Sequence, residues 1–148
     1  MQLMIYVSPF SLMGRQMKKN IESMPVNAQR TYCASLSSLE TYLRKPKGIS
    51  PIGILAPSND GELAALIGMR HLLRDMLLIL ILPKCSPDGI PQSHIHMLRP
   101  RYISYADGDL SDVTAVLNKM NAARLIESSD RHIVHSSNPQ DLTIQGLN

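Results

Sequence analysis

The chain has 148 residues, 44% of them apolar, and a net charge of +3, a balance that suits one globular core and excludes a disordered polyelectrolyte. Its basic residues are scattered apart from Arg44, Lys45 and Lys47, and with no Trp, one Phe and five Tyr it offers few platforms for stacking bases, which weighs against a nucleic-acid partner. Cys33 and Cys85 have no C-x-x-C partner and are too few for a disulfide framework.

In chain order, short apolar runs alternate with segments of helical period, the pattern of βα units feeding a parallel sheet with helices on both faces. Leu3–Val7 reads as the first strand, with no basic region, long apolar stretch or cleavage site of a secretory signal around it, so a cytoplasmic protein is expected. Ser8 is placed to cap a first helix that has Pro9 at its opening position and runs to about Met24. Leu12, Met13, Met17, Ile21 and Met24 recur at three- and four-residue steps and form its expected buried stripe.

Arg30–Ala34 is the second strand, and Ser37 with Glu40 has capping-box spacing for a short helix to about Arg44. Ile52–Ala56 is the third strand. Asn59 with Glu62 marks the start of a helix over 61–74. Met76–Leu82 is an unbroken apolar run, too short for the roughly 20 residues of a membrane helix and suited to a central strand buried on both faces. Gln92–Leu98 has room for a short helix, Tyr102–Tyr105 is the fifth strand, and Asp109 with Asp112 marks the start of a last helix with the stripe Val113, Val116, Leu117 and Met120, in a domain expected to span 1–126. Residues 127–148 turn polar and read as a tail or linker.

Several motifs have a plain reading beside a chemical one. His94 and His96 diverge on a helix and lack a third ligand nearby, so they are expected at the surface, as are His132 and His135 of the tail. Ser8–Leu12 follows the first strand where phosphate sites form, yet the loop has neither G-x-G-x-x-G nor a Walker-type lysine. The fragment Asp107-Gly108-Asp109 lacks the remaining acidic ligands of a calcium loop.

Pro57-Ser58-Asn59-Asp60-Gly61 resembles the Met-Pro-x-x-Asp-Gly turn of the receiver domain of two-component response regulators, and Tyr102–Asp107 is similar to that family's last strand and turn. The resemblance implies a doubly wound, three-layer α/β fold with a five-stranded parallel sheet in the order 2-1-3-4-5 and chemistry at the carboxyl ends of the strands. By the same likeness the phosphoacceptor aspartate maps to Gly53, or to Ala56 if the strand ends later. The acidic pair that holds magnesium would fall around Tyr6, Val7 and Ser8; the hydroxyl of strand four falls near Leu82-Pro83, and the lysine of strand five at Tyr105. None of these positions keeps the required group.

A hard divalent cation usually needs two carboxylates, so no magnesium and no other cofactor is expected. The expectation is a non-phosphorylatable signalling module, not an enzyme, acting through a protein partner or a second copy. The family's partner face would include His94, His96, Tyr102, Tyr105 and Val116. A rival expectation is a flavodoxin-like domain that binds a nucleotide, flavin or phosphosugar at an edge formed by Ser8, Ser11, Ser58, Asn59 and Lys84.

Overall fold

Each apolar run becomes a strand in the computed structural model, which describes residues 1–46, 48, 50–83, 91–108 and 110–126. β1 (Gln2–Val7), β2 (Gln29–Cys33), β3 (Ile52–Ala56), β4 (Leu77–Leu82) and β5 (Tyr102–Tyr105) form one parallel sheet in the order β2-β1-β3-β4-β5. The order follows composition. β1, β3 and β4 are apolar on both faces and are covered on both, whereas β2, with Gln29, Arg30 and Thr31, and β5, with Ser104 and two tyrosines, take the edges.

Helices α2 (Leu36–Arg44), α3 (Asp60–Gly68) and α4 (Arg70–Leu73) cover one face, where Met4, Tyr6, Leu55 and Leu80 meet Leu39 and Leu66 in the core. On the opposite face lie α1 (Leu12–Glu22), whose Met13 and Met17 reach Ala56 and Ile81, and the first turn of α6 (residues 111–126), whose Asp112 bonds to Ser104. The three-layer arrangement with strand order 2-1-3-4-5 is therefore the one that the receiver resemblance implies. α5 (Gln92–Ile95) and a 3-10 turn (His96–Leu98) precede β5.

Local details differ from the sequence reading. Ser11, not Ser8, caps α1, because Pro9 and Phe10 are taken into a turn first. The buried stripe accordingly runs through Gly14, Met17, Ile21 and Met24, while Leu12 is 75% exposed. Ser35 caps α2 and forms a reciprocal box with Ser38, two positions ahead of Ser37, so the helix begins directly after β2. The expected helix over 61–74 is broken at Met69: Gly68 has no neighbour that a side chain would touch, and a glycine without packing is a weak helical position.

Arg99 closes the 3-10 turn at φ 52°, the left-handed conformation that glycine usually takes, and its N–H donates to the His96 carbonyl. Contacts divide the chain after Thr114 into a unit Met1–Thr114, which contains the sheet, and a unit Ala115–Asn148. In the second unit α6 continues to residue 126, with Leu117 buried and Leu125 and Ile126 exposed. The polar tail with His132 and His135, together with Lys84, Cys85 and Asp109, lies outside the described residues. No described helix is long and apolar enough to cross a membrane.

Candidate functional site

In a parallel sheet of this order, loops at the carboxyl ends of the strands converge, and β1 lies directly beside β3. Their two loops meet through serines. The Ser11 hydroxyl accepts from the Gly14 N–H at 2.9 Å, capping α1, and lies 3.1 Å from the Ser58 hydroxyl, 47 residues further along the chain. Asn59 caps α3 by accepting from the Glu62 N–H at 2.8 Å. The Glu62 carboxylate in turn accepts from the Ser58 N–H and from the Tyr6 hydroxyl. Burial pushes the Tyr6 phenol well above its ordinary value, and the hydrogen bond and negative charge of Glu62 push it further in the same direction.

These bonds form one chain: Tyr6 to Glu62, Glu62 to Ser58, Ser58 to Ser11, Ser11 to Gly14. It runs across the edge where a ligand of this fold would sit. Each side chain named in it has at least one partner within the protein. Ser8 is buried, its hydroxyl making a long 3.5 Å contact with the Phe10 N–H. Phe10 and Leu12, flanking Ser11, are 86% and 75% exposed.

Beneath this chain, a cavity of about 10 Å³ lies between Ala56, Pro57, Ser58, Ile81 and Ala106 on the sheet side and Met13, Gly14 and Met17 on α1. That volume holds at most about one water molecule. β3 ends at Ala56, so Ala56 occupies the strand-end position. Gly53 lies three residues earlier and faces the helices of the opposite layer, where a Cβ would stand 2.8 Å from Leu78 Cδ2 and 3.3 Å from Met4 Cε. Pro83 is half-buried where β4 ends, and Lys84 of the expected ligand edge is outside the described residues.

The residues expected on a partner face occupy different settings. His94 and His96 are exposed on α5 and the following turn, and Tyr105 is 38% exposed at the end of β5. Tyr102 instead donates its hydroxyl to Asp112 at 2.9 Å, and the Ser104 hydroxyl donates to the same carboxylate oxygen at 2.9 Å. The bond to Asp112 raises the Tyr102 phenol above its ordinary value. The second Asp112 oxygen is buried without a partner among the described residues. Val116 is half-buried on the 115–126 stretch.

In the sequence Glu62 and Asp112 mark only helix starts. Their bonds to Tyr6, Tyr102 and Ser104 cross between elements, so the available signal was limited to a carboxylate in a first helical turn. Among the described residues, no three His, Cys, Asp or Glu side chains are grouped so as to hold a metal ion. No protein-family model matches the chain, and no curated protein matches it at a significant level.

Proposed function

We propose that the chain is a receiver-like regulatory module of the cytoplasm that takes no phosphoryl group and acts through protein contacts. The observation that carries this reading is the small apolar cavity at the end of β3, lined by Ala56, Ile81, Ala106 and the methionines of α1. Phosphoryl transfer needs a nucleophile and preorganised positive charge around three phosphate oxygens. Here the strand ends present Val7, Ala56 and Tyr105, and the carboxylate of Glu62 is already bonded to Tyr6 and Ser58. The same small volume weighs against the rival small-ligand reading, as does the bond between Ser11 and Ser58, which occupies hydroxyls that a phosphate would need.

Incubation with acetyl phosphate and magnesium tests the proposal by intact mass. The expected result is an unchanged mass; a stoichiometric, base-labile adduct overturns it. A thermal shift with a nucleotide, flavin or phosphosugar, lost on changing Ser11 to a bulky residue, would instead establish the rival.

A further inference from the structure

The two edges of the sheet are not alike. At β2 the Arg30 guanidinium is committed to the Met24 and Val26 carbonyls at 3.0 and 3.1 Å, and Lys18 lies over the Tyr32 ring at 5.1 Å. Among the described residues β5 pairs with β4 alone, its Tyr102 and Ile103 half-buried and its Tyr105 38% exposed. Residues 91–106 contain no carboxylate, and just before the strand stand Arg99 and Arg101, both exposed and without an ion pair among the described residues. Just after it stands exposed Asp107, on a turn closed by the Gly108 N–H and the Tyr105 carbonyl at 3.2 Å. One end of an open strand is thus cationic and the other anionic.

Like charges at both ends of an edge strand would repel a copy of the same strand. Opposite charges do the reverse: in an antiparallel pair each end meets its complement. We propose that β5 pairs antiparallel with β5 of a second copy across a twofold axis, with Arg101 of each copy beside Asp107 of the other. The proposal deepens the protein-contact part of the functional reading by naming the partner and the surface.

The register follows from the backbone. The Ala106 N–H donates to the Leu82 carbonyl at 2.8 Å, and with Ile103 opposite Leu80 and Tyr105 opposite Leu82 the amides of Tyr102 and Ser104 turn to β4, so those of Ile103 and Tyr105 face the open edge. Placing Ser104 opposite Ser104 on the axis pairs outward amides with outward carbonyls. The same register aligns the third residue before Ser104, Arg101, with the third after it, Asp107. The bonds from Tyr102 and Ser104 to Asp112 hold the strand in place beforehand, which lowers the ordering cost of pairing. A four-residue strand buries little area, so the association is weak and salt-sensitive.

Sedimentation velocity on the full chain, over a concentration series at low and high salt, reads this directly. The expected result is a concentration-dependent passage from monomer to dimer at low salt that is lost at high salt. Arg101→Asp or Asp107→Arg alone abolishes the dimer, and the double variant Arg101→Asp/Asp107→Arg restores it, with circular dichroism checking that each remains folded. If a charge reversal disturbs folding, Arg101→Gln and Asp107→Asn read the same contact and are each expected to weaken the dimer. A wild-type chain that stays monomeric at every concentration overturns the proposal, as does a dimer indifferent to these substitutions. Either result leaves the phosphoryl test untouched, and a phosphoryl adduct would overturn the functional reading without removing a β5 dimer.

Discussion

Gly14 lies so close beneath the Ser8 carbonyl that a Cβ built on it would stand 1.7 Å from the oxygen. The α1 backbone and the end of β1 are therefore in direct contact at this point, and only hydrogen fits between them. Gly14→Ala is expected to destabilise the protein by about 3 kcal/mol or more, since the contact is with backbone that cannot rotate away. Gly68→Ala, at a helical position with open space around it, is expected to stabilise by roughly 0.5 kcal/mol. Urea denaturation of the two variants checks both signs; similar effects from the two would contradict this account of Gly14.

Tyr6 makes stability depend on alkaline pH. The folded chain holds the phenol proton more tightly than the unfolded chain, whose phenol titrates near the ordinary value of 10.0. Its contribution is fully present below that pH and is lost as pH climbs above it toward the raised folded value. Tyr32 and Tyr42, raised chiefly by burial, act in the same direction. The denaturation midpoint is expected to fall as the solution is taken above the ordinary phenol range, and Tyr6→Phe to make that fall shallower. A Tyr6→Phe profile parallel to wild type would show that the Tyr6 phenol carries no such linkage.

The setting of Gly53 makes a different demand. Gly53→Asp would bury a carboxylate against Leu78, Met76 and Met4 with no donor among those side chains, and is expected to cost about 4 kcal/mol or to prevent folding. Gly53→Ala meets only the ends of flexible side chains and is expected to cost no more than about 1.5 kcal/mol. Thermal denaturation followed by circular dichroism separates the two. A stable Gly53→Asp variant would mean that this part of β3 opens to water.

Asp112 ties α6 to β5 through one oxygen. Ser104→Ala is expected to cost about 1 kcal/mol, the net worth of one hydrogen bond to a partly buried acceptor, and Asp112→Ala to cost more because it strands both hydroxyls. Asp112→Ala should also let the Tyr102 phenol fall back toward its ordinary value, which a tyrosinate absorbance titration detects. An unchanged titration would remove Asp112 as the cause.

The strands were legible in the sequence because their apolar runs are dictated by burial alone: Ile52–Ala56 and Tyr102–Tyr105 have the same limits in both readings. The caps were less so. Ser8 competes with Ser11, and Ser37 with Ser35, and the choice is made by where each chain leaves the sheet, which no local propensity encodes. The link between Tyr6 and Glu62 was invisible for a stronger reason. It exists because β1 and β3 are neighbours, a pairing that brings together residues far apart in the chain.

Arg99 shows how two demands meet in one residue. A glycine would relax its left-handed backbone at φ 52° and is worth roughly 1 kcal/mol in such a position. The same exchange would strip a guanidinium from the cationic approach to β5. Under the β5 pairing proposed above, the conformation that suits the isolated subunit and the charge that suits a meeting of two subunits favour different side chains at this residue, so a chain selected for ruggedness alone would weaken that pairing.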